Sequence, residues 1–142
     1  MQPALNVFIT VTLKQARPAD DGRLYYMTSD LQRSTAFILR DRVTASLVGK
    51  KRKDTIPFLV FGEGDGIAKR HHLHILTVIP PDVPFEDYSA MFREKALRLD
   101  WVYNEIDVRL IRPGTDRVLI KYSLKEGLDA FIPEASFVPP IR

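Results

Sequence analysis

The 142-residue sequence contains no cysteine, which excludes disulfide bonds and zinc sites built on thiolate ligands. A chain without cysteine fits a reducing environment, so we expect a cytoplasmic protein or one that acts inside a host cell. No apolar run approaches the roughly 18 residues that are needed to cross a bilayer. The first residues carry no basic side chain ahead of their apolar run, so they predict no signal peptide. We therefore expect no association with a membrane.

Internal repeats, low-complexity tracts and linkers are also missing from the sequence. A chain of this length, with 45% hydrophobic and 27% charged residues, is typical of one globular domain, which we place over residues 1–142. The formal net charge is +3. Such mild basicity permits a polyanionic partner without requiring one.

Hydrophobic alternation and helical periodicity predict the order β-α-β-β-α-β, followed by one more helix. The predicted strands cover residues 6–13, 55–63, 71–79 and 104–113, and the predicted helices cover residues 29–48, 84–99 and 117–127. Residues 17–23 are predicted to be a loop, and residues from about 131 to 142, with their three prolines, an extended tail. This order is that of the α+β, ferredoxin-like (split βαβ, RRM-like) fold, an antiparallel sheet with helices packed mainly on one face.

The first predicted helix is expected to have Ser29 or Asp30 as its N-cap. Its apolar residues recur at roughly helical spacing and are expected to form one face: Leu31, Ile38, Leu39, Val43 and Leu47. A charged turn at residues 49–54 follows the helix.

All three histidines of the chain lie within residues 71–74, at the start of a predicted strand. His72 and His74 point to the same face of that strand, because residues two apart share a face, whereas His71 points the other way. Two imidazoles placed in this way can share one metal ion. The alternative is a pair of hydrogen-bonded histidines on a half-buried face.

An acidic residue precedes the histidines. If the second and third predicted strands form a hairpin, Glu63 lies opposite His72, with the Cβ atoms about 5 Å apart. A carboxylate beside two imidazoles is a mixed nitrogen and oxygen site, which suits Mn²⁺ or Mg²⁺. We therefore predict a metal site formed by Glu63, His72 and His74. The alternative for Glu63 is a solvated residue of the hairpin.

A tyrosine lies one helical turn before a lysine. Tyr122 and Lys125 are three residues apart, so they share one face of the last predicted helix. A neutral phenol is a poor nucleophile, but a nearby ammonium group lowers the cost of the phenolate and can stabilise a phosphate. We therefore consider Tyr122 and Lys125 as catalytic residues. The alternative is a surface tyrosine and a solvated lysine near a helix end.

Basic and aromatic side chains offer contacts to nucleic acid. The densest positive run consists of Lys50, Lys51, Arg52 and Lys53. This run is either a solvated turn or a surface that gives salt-dependent affinity for DNA of any sequence. Arg70 and His71 flank the histidine pair and are expected to meet neighbouring phosphates. Trp101 and Tyr103 could stack on bases, although a tryptophan between a helix and a strand more often belongs to the core.

Taken in order, these stretches resemble those of the HUH endonucleases, specifically the single-tyrosine Rep type that initiates rolling-circle replication. That family has an early "FLT"-like strand, a His-hydrophobic-His strand and a YxxK helix. The matching stretches here are "FIT" at residues 8–10, "HLH" at residues 72–74 and "YSLK" at residues 122–125. The third metal ligand of the family is often a glutamate just upstream of the histidine strand, and Glu63 matches it.

The resemblance implies a metal-dependent, sequence-specific endonuclease and strand transferase that acts on single-stranded DNA at an origin or hairpin. The metal ion, Mn²⁺ or Mg²⁺, is then expected on Glu63, His72 and His74, where it binds the scissile phosphate. Tyr122 would attack the phosphorus, expel a 3′-hydroxyl and remain linked to the 5′-phosphate. A later 3′-hydroxyl would reverse the step and join strands, and Lys125 would stabilise charge.

The sequence departs from the family in two respects. The first strand lacks the asparagine that often follows in viral Rep proteins, so Thr10 and Thr12 are expected to contact DNA without a catalytic role. The chain has no GxxxxGK[ST] motif. We therefore expect either a nuclease domain cut from a longer chain or a protein that works with a separate helicase. A phage, plasmid, virus or transposon could encode such a protein.

Several alternatives stay open. Single-tyrosine transposases share the same order of motifs. Conjugative relaxases place the tyrosine before the histidines, where Tyr25 and Tyr26 lie, but neither has a lysine one helical turn later. A non-catalytic, RRM-like module that binds single strands would use the same fold, as would a metal-dependent phosphoesterase that acts on a small phosphate.

Overall fold

A computed structural model describes residues 5–64, 70–112, 114–124 and 130–138. Within these ranges the strands are β1 (Val7–Leu13), β2 (Ala16–Pro18), β3 (Leu24–Tyr26), β4 (Phe58–Glu63), β5 (His72–Thr77) and β6 (Val102–Leu110). The helices are α1 (Ser29–Val48), α2 (Phe85–Leu97) and α3 (Asp116–Ser123), with short 3-10 helices at Lys50–Thr55 and Pro133–Ala135. No helix in the described ranges is long and apolar enough to span a bilayer.

Four strands form an antiparallel sheet in the order β4-β5-β1-β6. Strands β1 and β5 occupy its centre, and the crossovers through α1 and α2 bring the outer strands to the two edges. The remaining strands, β2 and β3, pair with each other in a separate ribbon. This topology confirms the predicted α+β fold of the ferredoxin-like type.

The two faces of the sheet differ in chemistry because strand residues alternate between them. On one face, Val7, Ile9 and Val11 of β1 are fully buried in the core cluster together with residues of α1 and α2. On the other face, β1 and β5 present polar and aromatic side chains, and Tyr122 of α3 contacts His74 there. The polar face of the sheet is therefore available for a site.

Helix α1 differs from its predicted details. Its N-cap is Thr28, whose Oγ1 accepts a hydrogen bond from the backbone N–H of Leu31 at 3.1 Å, so the predicted caps Ser29 and Asp30 are wrong. Its buried face is formed by Gln32, Thr35, Ala36, Leu39, Arg40, Val43 and Thr44. Ile38, predicted to join the apolar face, is 39% exposed. Long polar side chains fill part of the interface, which an apolar pattern cannot show.

Two further boundaries are corrected. The second predicted strand begins only at Phe58, because the preceding residues Lys50–Thr55 form a 3-10 helix and Pro57 supplies no backbone donor. The predicted loop at residues 17–23 belongs in part to a hairpin, since β2 pairs with β3 across it.

The C-terminal segment packs on the edge of the sheet. Phe137 exchanges two backbone hydrogen bonds of 2.7 Å with Phe58, and the N–H of Ile132 donates to the carbonyl of Val60 at 2.9 Å. The side chain of Ile132 is only 2% exposed. The described part of the predicted tail, residues 131–138, is therefore anchored to β4 and covers its open edge. The last predicted helix, residues 117–127, ends earlier than expected, because α3 ends at Ser123 and Leu124 is its C-cap. Gly127, the predicted end, lies outside the described residues.

The hydroxyl of Tyr88 has an unusual environment in the core. Tyr88 is fully buried beside Phe92, and its hydroxyl has no hydrogen-bond partner among the described residues. Burial raises the pKa of Tyr88, so the phenol stays neutral. An unsatisfied buried hydroxyl costs about 1–3 kcal/mol. We expect Tyr88→Phe to raise the free energy of unfolding in urea by about 1 kcal/mol. If the free energy of unfolding of Tyr88→Phe instead fell by about 1 kcal/mol, the hydroxyl would have a hydrogen-bond partner.

Candidate active site

The hairpin of β4 and β5 sets the register of the site. Glu63 pairs with His72 across the two strands, as the sequence predicted. His72 and His74 lie two residues apart on β5, while Leu73 between them is fully buried in the core on the other face. Glu63, His72 and His74 therefore lie on the polar face of the sheet.

His74 is held on both sides of its ring. Its Nε2 lies 2.5 Å from Oε2 of Glu63, so the carboxylate bonds diagonally to His74 although it is paired with His72 in the ladder. Its Nδ1 lies 3.4 Å from the hydroxyl of Thr10, its neighbour on β1. The side chains of His74 and Glu63 are 9% and 17% exposed, so this hydrogen bond is shielded from solvent. With Nε2 as the donor and Nδ1 as the acceptor, both bonds are satisfied by one tautomer.

Aromatic rings surround His74. Phe8 stacks on it with ring centroids 5.6 Å apart and an interplanar angle of 9°. The ring of His72 lies 6.3 Å away and nearly parallel. The ring of Tyr122 approaches edge-on, at 6.1 Å and 71°. His74 thus has a fixed orientation at the centre of the site.

These side chains line one open cavity of about 350 Å³. The cavity is formed by Phe8, Thr10, Glu63, His72, His74, Asp107, Arg109 and Tyr122. Tyr122 reaches it from α3 and is 51% exposed. Lys125 lies outside the described residues. The structure therefore brings four of the five predicted catalytic and metal-binding residues to one cavity.

The donor set suits a divalent cation, since it combines one carboxylate with two imidazoles on one face. Among the described residues, no group of three or more His, Cys, Asp or Glu side chains is arranged to hold an ion. The carboxylate of Glu63 is instead bonded directly to His74. An ion held by these residues would take the place of that hydrogen bond. The residues fit a metal in type and in placement on the face.

Two polar residues of the cavity were not predicted. Asp107 and Arg109 lie on β6, two residues apart, and Arg109 Nε forms an ion pair with Asp107 Oδ2 at 2.6 Å. Asp107 and His74 lie on opposite sides of Thr10 in the ladder, so one strand, β1, separates them. The alternation of this strand put both side chains on its polar face, but only the strand order places that face beside the histidines.

A buried glutamine fixes the backbone of the site from the core side. Gln32 of α1 donates from Nε2 to the carbonyls of Glu63 at 3.2 Å and His72 at 3.1 Å. A Cβ on Gly62 would lie 2.9 Å from the Gln32 amide, so the glycine leaves room for it. Gln32 therefore ties together the backbones of two predicted metal ligands.

Gly64 closes the hairpin tightly next to Glu63. Its φ is +118°, and a Cβ there would lie 2.6 Å from the Cα of His71. We expect Gly64→Ala to lower the free energy of unfolding in urea by at least about 2 kcal/mol, because both backbone strain and a clash result. Gly22 is the matched control, since its φ is +80° and no described atom lies within 4 Å of an added methyl group, so Gly22→Ala should cost about 1 kcal/mol. Equal losses in the two variants would contradict the close approach.

The residues predicted to contact DNA are spread over the molecule. Thr10 lines the cavity, whereas Thr12 is buried opposite His72 and offers little surface to a ligand. His71 Nδ1 lies 2.8 Å from Oε1 of Gln15, at the end of the sheet. The guanidinium of Arg70 lies over the ring of Tyr103.

The described side chains of the basic run do not line the cavity. Lys50, Lys51 and Arg52 lie in the 3-10 helix after α1, and Lys53 falls within it, although its side chain is not described. Gln32 lies near the N-terminal end of α1, next to the site, whereas Lys50 follows the C-terminal end of the same helix. Most of the length of α1, at a rise of about 1.5 Å per residue, therefore separates Lys50 from Gln32. Contact between this run and DNA in the cavity would need a long ligand.

Comparison of the chain with protein-family models, with curated proteins and with solved structures gives no match in any of the three. The geometry of the site therefore carries the functional argument.

Proposed function

We propose that this protein is an HUH-type endonuclease of the single-tyrosine Rep class, a metal-dependent enzyme that nicks and rejoins single-stranded DNA. The observation that carries the proposal is the position of Tyr122. It approaches His74 edge-on at 6.1 Å in the cavity that Glu63 and His72 also line. A phenol from a separate helix, beside a carboxylate and two imidazoles, supports a covalent mechanism more strongly than any of these residues does alone.

The proposed reaction is a transfer of one phosphodiester. The oxygen of Tyr122 forms a bond to the phosphorus, and the bond from phosphorus to the 3′ oxygen of the preceding nucleotide breaks. The phenolic proton ends on the departing 3′-hydroxyl, so the step needs no other reactant. The product is a 5′-phosphotyrosine and a free 3′ end. Attack by a 3′-hydroxyl on the phosphotyrosine reverses the step and joins strands.

The residues of the cavity would have separate tasks. Glu63, His72 and His74 would hold Mn²⁺ or Mg²⁺, which supplies charge stabilisation to the phosphate when bound. Arg109 would bind a non-bridging phosphate oxygen, because a guanidinium forms two parallel hydrogen bonds to such a group. Asp107 would orient Arg109 through their 2.6 Å contact. Lys125, three residues after Tyr122 in the sequence, would stabilise charge.

The proposal includes the biological setting. The substrate would be single-stranded DNA at an origin or in a hairpin, and a separate helicase would expose it. Initiation of rolling-circle replication and single-tyrosine transposition use the same chemistry. Sequencing the DNA that remains attached to the protein in cells would separate them, because replication leaves origin sequences and transposition leaves element ends.

The test is a covalent adduct. The protein is mixed with a pool of labelled random 40-mer single strands and Mn²⁺, and the products are separated on a denaturing gel. The proposal predicts labelled DNA that migrates with the protein and disappears on protease treatment or when EDTA is present from the start. Binding without an adduct would favour a non-catalytic RRM-like module. Cleavage that continues in Tyr122→Phe would favour a phosphoesterase.

A further inference from the structure

A second cleft, of about 300 Å³, opens at the end of the sheet where β1 ends and β6 begins. We call it the Tyr103 cleft; it is lined by Leu13, Lys14, Gln15, Ala16, Arg70 and Tyr103. Tyr103 is 37% exposed, and the guanidinium of Arg70 lies 5.0 Å from its ring centroid. Arg70 is itself exposed. The pair forms a platform that combines a partly exposed aromatic ring with an exposed positive charge.

The walls of the Tyr103 cleft are held by backbone hydrogen bonds. The N–H of Lys14 donates to the carbonyl of Trp101 at 2.8 Å, which fixes the chain two residues before Tyr103. The N–H of Leu13 donates to the carbonyl of His71 at 2.9 Å, next to Arg70. The two partners of the platform therefore come from segments that are tied to the same end of β1. The backbone next to both platform residues is therefore held in place before a ligand binds.

A neighbouring cleft shows why the charge of the Tyr103 cleft matters. There, Arg17 lies 5.6 Å from the ring centroid of Trp101, but it is also paired with Asp100 at 3.3 Å. That cleft is further lined by Asp20, so two carboxylates face any ligand. The described lining of the Tyr103 cleft carries two cations, Lys14 and Arg70, and no acidic residue. Of the two clefts, it is the one that suits a polyanion.

We propose that the Tyr103 cleft binds an unpaired base of single-stranded DNA, which stacks on the Arg70–Tyr103 pair while Lys14 contacts the adjoining phosphate. Aromatic rings and guanidinium planes stack on any base, because every base has a π-face. The occupant follows from the combination of a stacking platform with a positively charged lining. This subsite rests on the proposed function, since it would hold the DNA that enters the cavity of Tyr122.

The Tyr103 cleft is close enough to the candidate active site for one DNA strand to reach both. Thr10 lines the candidate active site and Lys14 lines the Tyr103 cleft, so β1 connects them over about 13 Å at ~3.3 Å per residue. At a rise of ~3.4 Å for stacked nucleotides, at most about four of them span this distance. The bound base would thus lie within a few nucleotides of the nick.

The test measures binding of two fluorescein-labelled decamers by anisotropy, without divalent ions. One is a decamer of thymidine, and the other has the same phosphates but abasic units. The wild-type protein is expected to bind the thymidine decamer at least about fivefold more tightly. Tyr103→Ala should reduce this preference at least about fivefold and bind the abasic decamer within about twofold of wild type. Arg70→Gln should weaken binding of both decamers, because a charge is lost.

Tyr26→Ala is the matched control, because Tyr26 is an exposed tyrosine of β3 that does not line the cleft, and its base preference should equal that of wild type. The proposal is overturned if wild type has no base preference or if Tyr103→Ala keeps it. It is also overturned if Tyr103→Ala weakens both decamers equally. Since this assay involves no chemistry, a covalent adduct combined with an unchanged preference in Tyr103→Ala rejects the cleft alone. If Tyr103→Ala loses the base preference but the wild-type protein forms no covalent adduct, the nicking activity alone is rejected.

Discussion

Tyr122→Phe is expected to abolish covalent attachment to single-stranded DNA, with a loss of at least about 10³-fold in the rate of adduct formation. The substitution removes only the oxygen that would form the bond to phosphorus, and loss of a nucleophile typically costs this much or more. The ring of Tyr122 would remain edge-on to His74. The measurement is the yield of protease-sensitive labelled DNA on a denaturing gel over a time course.

The control for this variant is Tyr26→Phe, because Tyr26 is 65% exposed on β3 and tests for nonspecific loss of a hydroxyl. It should form the adduct at the wild-type rate. The urea midpoint of Tyr122→Phe should stay close to wild type, since the packing of the ring is retained. An adduct that forms normally in Tyr122→Phe would assign the nucleophile to another residue.

His74→Ala is expected to raise the Mn²⁺ concentration for half-maximal adduct formation by at least about 100-fold. The change removes an imidazole that contacts Glu63, Thr10 and Phe8, so it disrupts the centre of the cavity. Changes even outside the first shell of a metal typically cost 10- to 100-fold in affinity or activity. Because Glu63 loses its partner, we also expect the free energy of unfolding to fall by about 1–3 kcal/mol.

Two further histidine variants make this result interpretable. His71 belongs to the same run of histidines, but its imidazole contacts Gln15. The Mn²⁺ concentration that His71→Ala requires should therefore differ from that of wild type by less than about twofold. His72→Ala removes the less buried member of the pair and should raise the requirement at least about tenfold with a smaller loss of stability. If the His74 and His71 variants needed the same Mn²⁺ concentration, the proposed ligand set would be wrong.

The hairpin register was predictable because it follows from local rules. Glycine-rich residues between two apolar runs predicted the turn, and the period of two along a strand then placed Glu63 opposite His72. The same period put His72 and His74 on one face. The ferredoxin-like fold followed from the order of the elements alone. These features depend on neighbours along the chain or directly across one turn.

The remaining features of the site depend on contacts between distant segments. Gln32 reaches two carbonyls of the hairpin from α1, and no pattern in the helix marks that role. Asp107 and Arg109 enter the cavity only because β6 lies next to β1. Glu63 has two imidazoles nearby, and side-chain packing, not the strand register, determines that it bonds to His74. The anchoring of residues 130–138 on β4 likewise has no periodic pattern to reveal it.

The central claim is that Glu63, His72, His74 and Tyr122 form one centre that links the protein to DNA. Its most direct test is mass spectrometry of the adduct after nuclease and protease digestion. We predict a nucleotide 5′-phosphate on the peptide that contains Tyr122, located on that residue by fragmentation, only when Mn²⁺ was present. A nucleotide on any other residue, or an unmodified Tyr122 in a reaction that cleaved the DNA, would contradict the account.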